Sequence, residues 1–146
     1  MGPKAATSPD VAKLLKDTDP RVRGLAALAL RDIGKGAAVV IPELSAALQD
    51  PMPSVRMTAA SALGRMGAAA SSAVPALVAA LEASNGPENS NDGVQVLRNI
   101  CYALGDIGSA AREAIPAMRK VQHLRVKYIA QEATVKIEGR PSPTWH

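Results

Sequence analysis

The sequence predicts an all-α protein made of repeated helix pairs, and three observations lead to this prediction. Apolar motifs recur at a fixed spacing, with prolines where helices would begin and glycines where they would end. Aromatic residues make up only 2% of the 146 residues although apolar residues make up 47%, so alanine and leucine must fill the core. Apart from a brief run at 38–41, no segment has the alternation and β-branched composition of a strand.

The repeat consists of two helices. Val22 recurs as Val55, a shift of 33 positions, and the alanines and leucines that follow recur with the same shift. The next copy is shifted by 41, because eight extra residues (41 − 33) lie in a polar stretch at 84–93 that predicts a loop insertion. The period predicts half a repeat, three whole repeats and half a repeat in a single domain at 1–140, followed by an irregular tail at 141–146.

Helix boundaries follow from the residues that flank each apolar stretch. Asp19 is predicted to cap the helix that begins at Pro20, because its carboxylate can accept backbone N–H bonds and proline needs no N–H there. Gly34, Gly67 and Gly108 follow the helix ends, and the glycines are interpreted as helix caps spaced by the repeat. The second helices are predicted to begin at Pro42, Pro75 and Pro116. The predicted helices cover roughly 9–17, 20–33, 42–49, 53–66, 75–84, 94–107, 114–122 and 125–137.

The first-helix segments read DPRVRGLAALALRDIG, PMPSVRMTAASALGRMG and VLRNICYALGDIG. They resemble the HEAT repeat, specifically the short variety found in bilin-lyase-type proteins, and the resemblance covers nearly the whole predicted domain. It implies a right-handed α-solenoid, with the first helices on the outer, convex side and the second helices on the inner, concave side. Ankyrin and tetratricopeptide repeats fit less well, because the Thr-Pro-Leu-His pattern of the former and the aromatic positions of the latter are missing.

The sequence contains no constellation typical of a catalytic centre, a cofactor site or a metal site. Cys101 aligns with small interior positions of the first helices, so it is interpreted as a buried hydrophobe rather than a nucleophile. His123 and His146 have no companions at metal-ligand spacing. Glu88 and Asp92 lie in the predicted loop, which would not hold them at a fixed separation. The sequence therefore predicts a protein that is not an enzyme and that carries no cofactor.

Positive charge is present but modest. The 17 basic and 13 acidic residues give a net charge of +4, spread along the chain, which argues against nucleic acid as the first choice of partner. The densest basic cluster is a solvated face in one interpretation and a patch for phosphate or for an acidic partner in the other. Its members are Arg112, Arg119, Lys120, Arg125 and Lys127.

Arg23 and Arg56 occupy equivalent positions and invite an interpretation as a ladder that binds anions. The resemblance favours a structural role instead, in which each arginine pairs with loop carboxylates or carbonyls between adjacent repeats. Leu97 stands at this position in the third repeat, so any ladder would stop there. The expected partners are Asp17, Asp19 and Asp50.

The expected partner-binding site consists of two columns of side chains on the second helices, termed the second-helix columns. If these helices line a concave groove, its middle is mildly apolar and its ends are basic, which suits an acidic protein or peptide. The predicted site residues are Lys13, Ser45, Ala46, Val78, Ala79, Arg119 and Lys120, and Ala12 stands at the start of one column.

The last predicted helix has apolar positions that no second helix follows. Three explanations stay open: the tail with Trp145 folds back onto it, the chain forms a homo-oligomer there, or the protein continues.

These observations favour a non-enzymatic scaffold that binds another protein or peptide through the concave side of the solenoid. The alternatives are a bilin-lyase-like subunit that acts on a biliprotein and a weak nucleic-acid-binding module. No signal-like segment and no apolar run of membrane length is present, so a cytoplasmic location and no membrane association are expected. The identity of the partner is not encoded in any recognisable motif.

Overall fold

The computed structural model describes residues 7–85 and 90–141, and within these two ranges it contains eight α-helices and no strand. The all-α prediction is therefore confirmed, and the helices form the predicted series of pairs. The helices are α1 (Ser8–Lys13), α2 (Pro20–Ile33), α3 (Ile41–Ala47), α4 (Pro53–Arg65), α5 (Val74–Ser84), α6 (Asn91–Ile107), α7 (Ile115–Arg119) and α8 (Leu124–Glu138). Even-numbered helices are the first helices of the repeats, and odd-numbered helices are the second. Glu88, Trp145 and His146 lie outside the described residues.

The two helices of each whole repeat are joined by a short 3-10 segment. Each segment begins at a glycine with a positive φ angle: 64° at Gly34, 58° at Gly67 and 79° at Gly108. Since side chains with a Cβ rarely adopt this conformation, the prediction that glycine ends the first helices is confirmed. The segments are Gly34–Val40, Gly67–Ala73 and Gly108–Ala114, and each buries an alanine under the next layer.

Side-chain caps fix three of the first helices at their N-termini: Asp19 on α2, Ser90 on α6 and His123 on α8. The Asp19 carboxylate accepts a 2.9 Å hydrogen bond from the backbone N–H of Arg21, as the sequence predicts. The Ser90 hydroxyl accepts from the backbone N–H of Gly93 at 3.2 Å, and α6 therefore begins at Asn91. The prediction that the loop insertion extends to residue 93 is wrong at this end, because a capping serine turns the polar residues 91–93 into the first turn of a helix.

The first helices pack directly side by side, whereas successive second helices touch only sparsely because the next 3-10 segment packs between them. Two interior glycines produce the close approach of the first helices. A Cβ added to Gly64 would lie 3.0 Å from the Ala103 Cα, and one added to Gly105 would lie 3.1 Å from the Ala133 Cβ. The interpretation of the glycines as helix caps is therefore wrong for these two, which are packing positions.

A continuous core of alanine, valine and leucine runs through the stack. Within the described chain, the stretch Gly67–Ser84 is long and apolar enough to cross a membrane by length and composition. It is kinked, since Ala70 has non-helical backbone angles (φ −90°, ψ 17°), and its 3-10 and α-helical parts occupy different places in the stack. Val74, Leu77 and Leu81 within it are fully buried by neighbouring helices, so its apolar side belongs to the core.

Candidate functional site

The equivalent arginines Arg23 and Arg56 tie adjacent repeats together. The Arg23 guanidinium forms a two-pronged ion pair with Asp50, with contacts of 2.7 Å and 3.2 Å, and donates to the Asp17 carbonyl at 2.9 Å. Arg56 donates to the backbone carbonyls of Asp50 at 2.7 Å and of Pro51 at 3.2 Å. The hydrogen bonds that Arg23 donates to the Asp50 carboxylate raise the pKa of Arg23 above its usual value. Both arginines are committed to the loops between repeats, which confirms the structural role over an anion-binding ladder.

The second-helix columns are only partly available for a partner. The Ser45 hydroxyl donates to the Ile41 carbonyl at 2.8 Å, and Val78 packs partly buried against the core. Arg119 is exposed but forms an ion pair with Glu138 at 3.2 Å. Ala12 is buried. Four of the predicted site residues are exposed and form none of the contacts just described: Lys13, Ala46, Ala79 and Lys120.

The second-helix columns therefore stay a prediction as a partner site. The more closely packed row consists of the first helices. The Gly64 and Gly105 contacts lie in this row. The outward surface of the same row is the stronger candidate for recognition.

This surface, termed the first-helix face, is defined by the equivalent positions Leu28, Ser61, Tyr102 and Glu132 and their neighbours. Tyr102 is at its centre and is 45% exposed. The Arg98 guanidinium lies 5.6 Å from the centre of the Tyr102 ring, a cation–π distance that holds the ring in a defined orientation. Tyrosine and arginine are the residue types that contribute most at protein interfaces, because both combine a flat, semi-rigid body with a polar group.

Two clefts flank Tyr102. The cleft between α4 and α6 has a volume of about 210 Å³, and the cleft between α6 and α8 has a volume of about 90 Å³. Tyr102 lines both, together with Ser61 and Asn99 on one side and Ile129 and Lys136 on the other. Their floors contain Gly64 and Gly105, so the same glycines that bring the helices together leave these depressions in the surface.

Polar side chains bridge the first helices across this face. The Asn99 amide donates to the Met57 carbonyl at 3.3 Å, linking α6 to α4. Lys136 and Asp106 form an ion pair at 3.1 Å between α8 and α6. Because these bridges fix the positions of the helices, the clefts beside Tyr102 are held open before any partner arrives, which lowers the ordering cost of binding.

Nucleophilic and metal-binding chemistry is not supported by the arrangement. Cys101 is fully buried, and burial raises the pKa of its thiol to about 12, so the reactive thiolate is not populated near neutral pH. The His123 ring nitrogen accepts from the backbone N–H of Arg125 at 3.3 Å and caps α8. No group of three or more candidate metal ligands occurs in the part of the chain that the structure describes.

The comparison with protein families identifies this architecture. A family model described as HEAT repeats matches residues 8–98, which is well over half of the chain. The chain belongs to the HEAT repeat family. No curated protein matches. The resemblance of the first-helix motifs to the HEAT repeat is confirmed by the match to this family model.

Two solved structures resemble this HEAT repeat chain. A crystal structure of an engineered protein from the Northeast Structural Genomics Consortium shares 25% sequence identity with it, with a TM-score of 0.62 over 92% of this chain and 63% of that one. The structure of the complex of CpcE and CpcF of phycocyanin lyase from Nostoc sp. shares 22% identity, with a TM-score of 0.57 over 96% of this chain and 68% of that one. This chain thus spans less than two thirds of the engineered protein, and the second likeness concerns the fold alone.

Proposed function

We propose that this HEAT repeat protein is a non-enzymatic scaffold that binds a partner protein through the first-helix face. The arrangement of Arg98 and Tyr102 is the observation that carries the proposal. The pair projects from the most tightly packed row of helices, between two clefts. An exposed, oriented tyrosine between depressions can insert its hydroxyl and its ring edge into a complementary surface.

The charge on this face defines what the partner must offer. Arg98 and Arg125 form no ion pair with any described acidic residue, whereas Asp32 and Asp106 lie close to Arg65 and Lys136 respectively. The unpaired positive charge therefore lies toward the N-terminal ends of the first helices. A partner with acidic or carbonyl-rich loops next to an apolar anchor would satisfy both parts of the face.

Site-specific photo-crosslinking tests which face is used. A benzophenone amino acid would replace Tyr102 in one variant and Ala79, an exposed member of the second-helix columns, in a matched variant. In native lysate, we expect a discrete adduct from position 102 and none from position 79. An adduct from position 79 alone would assign binding to the second-helix columns and would contradict the proposal.

The affinity of the purified partner provides the quantitative test. We expect Tyr102→Ala and Arg98→Ala each to weaken binding by about tenfold, the effect of removing an interface anchor worth about 1.4 kcal/mol. Ala79→Glu should leave the affinity unchanged because it alters the opposite row. If Ala79→Glu weakens binding as much as Tyr102→Ala does, the first-helix face is not the site.

A bilin-lyase-like role is the second candidate, favoured by the likeness to the CpcE and CpcF complex. In that role the chain would act with a partner subunit on a biliprotein. Incubation of the chain with a bilin and phycocyanin apoprotein, followed by absorbance spectroscopy, tests this directly. A chromophore band that forms only when the chain is present would support the role, and identical spectra with and without the chain would refute it for this substrate pair.

A further inference from the structure

The C-terminal end of the stack contains a groove between α7 and α8 that is separate from the first-helix face. Its volume is about 310 Å³. Met118, Val121 and Thr134 form its floor, and their side chains are almost completely buried. The rim carries Arg119, Lys127 and Arg140.

The repeat pattern shows which kind of element fits this groove. In the preceding repeat, α5 and α6 form the equivalent junction, and the 3-10 segment Gly108–Ala114 packs against both of them and leads into α7. A helical segment therefore covers that junction. Between α7 and α8 the described residues leave a groove instead.

The outer side of α8 differs from its counterparts in a way that favours a reversible partner. Thr134 stands where the earlier first helices have fully buried leucines, Leu63 and Leu104. Gln131 is exposed where Cys101 is buried, two positions that correspond by a shift of 30 residues (131 − 101). The exposed amide of Gln131 keeps this side of the groove compatible with water, whereas a permanently stacked repeat would favour an apolar residue there.

The electrostatics of the groove are one-sided. Glu138 is its acidic neighbour, and it already pairs with both Arg119 and Arg140. Lys127 forms no ion pair with any acidic residue of the described ranges, and Lys120 is exposed next to the groove. Four basic groups against one carboxylate leave a positive rim around an apolar floor.

We propose that this groove binds an acidic amphipathic helix of a partner protein, placed where the next repeat would have its second helix. The apolar side of that helix would contact Val135, which is partly exposed in the groove, above the buried Met118 and Val121. Its acidic side chains would contact Lys127 and Arg140 on the rim. The match of an apolar stripe with the groove and of carboxylates with a basic rim is the usual basis of helix-in-groove recognition.

A synthetic helix serves as the probe. It is a fluorescein-labelled peptide of about 14 residues, roughly four turns, with leucines along one side, glutamates beside them and a hydrocarbon staple on the far side. A twin peptide with lysine in place of every glutamate is the specificity control. Fluorescence anisotropy with the full chain should show saturable binding of the acidic peptide that weakens as salt is added, and no binding of the lysine twin.

Charge reversal locates the binding to the groove. Lys127→Glu should weaken binding of the acidic peptide by about three- to tenfold, the effect of exchanging one attractive rim contact for a repulsive one. Lys35→Glu is the matched control, since Lys35 is exposed on a 3-10 segment at the other end of the stack. Circular dichroism of both variants should match the unaltered chain, because both substitutions lie on the surface.

Several outcomes would overturn the proposal. Absence of binding at millimolar peptide, equal binding of the lysine twin, or equal weakening by Lys35→Glu would each do so. Binding that emerges only after deletion of residues 142–146 would mean that the chain's own end occupies the groove. A concentration-dependent dimer that Lys127→Glu abolishes would assign the groove to a second copy of the chain. None of these outcomes depends on the Tyr102 crosslinking result, so the two proposals fail separately.

Discussion

The most direct test of the packing is to add one methyl group at each of two helical glycines. Gly24 lies in α2 with no atom within 4 Å of an added Cβ, whereas an added Cβ at Gly64 in α4 would lie 3.0 Å from the Ala103 Cα and 3.2 Å from the Ala103 Cβ. Both glycines have ordinary helical backbone angles. Gly24→Ala and Gly64→Ala therefore make the same chemical change in an open and in a closed environment.

The expected changes in stability have opposite signs. Replacing a helical glycine by alanine raises the free energy of unfolding by about 1 kcal/mol when nothing opposes it. That gain is expected in full for Gly24→Ala. At Gly64 the methyl group would meet the backbone of α6, and overpacking costs about 1–3 kcal/mol. The difference gives a net loss of up to about 2 kcal/mol, with about 1 kcal/mol the central expectation.

Urea unfolding followed by circular dichroism measures both variants under the same conditions. Thermal melts give a second readout of the same effect. A change of 1 kcal/mol in the free energy of unfolding should move the melting temperature of a chain of this size by about 2–4 °C, upward for Gly24→Ala and downward for Gly64→Ala. Ala103→Gly should cost less stability in the Gly64→Ala background than in the unaltered chain, since there it also removes the 3.2 Å contact, although not the 3.0 Å one. Equal stabilisation by Gly24→Ala and Gly64→Ala would refute the close contact between α4 and α6.

Three further predictions concern individual side chains. Arg56→Ala should lower the free energy of unfolding by about 1–2 kcal/mol, because two inter-repeat carbonyls lose their donor, while Arg112→Ala should be nearly neutral in the same urea titration. Hydrogen bonds from Arg21 hold the pKa of Asp19 below its usual value of 3.8, so the stability that this carboxylate provides is complete above pH 3.8 and is lost as the pH falls through the lower folded-state pKa. Asp19→Asn keeps a capping oxygen but cannot be protonated in this range. On acidification from pH 5 to about pH 3, the melting temperature of this variant should therefore fall less than that of the unaltered chain, and an equal fall in both would contradict this. The Cys101 thiol should be inert to an aromatic disulfide reagent at pH 8 until the chain unfolds, and rapid labelling of the folded chain would contradict its burial.

The sequence predicts much of the fold because its boundary residues act locally. Asp19 needs only the backbone N–H groups of the next turn to cap α2, and Gly34 ends it through its own φ angle. The sequence does not predict the 3-10 segments, because stretches such as 67–73 consist of small residues that are compatible with turns, with 3-10 helix and with α-helix. Their geometry is set by the need to bury Ala70 and Ala73 under the neighbouring layer, which is a tertiary requirement.

The candidate site is harder to derive because it depends on which row of helices packs more closely. Gly64 and Gly105 recur at the repeat spacing, just as the capping glycines do, so spacing alone does not separate the two roles. The sequence nevertheless carries a signal: each of these glycines lies three residues before a capping glycine and occupies the position of Arg31 in the first repeat. Tyr102 stands out in the sequence by composition, but its place between two clefts becomes visible only in the structure.

The glycine contacts also determine how this molecule yields to force. At the junctions of α4 with α6 and of α6 with α8, helix backbones meet with almost no side chain between them, so bending there must separate two rigid rods. At the junction of α2 with α4, the corresponding position is Arg31, a long side chain that can change rotamer as the helices move. We therefore expect the junction of α2 with α4 to bend more readily than the two junctions that α6 forms, so that Tyr102 lies in the stiffer part of the stack.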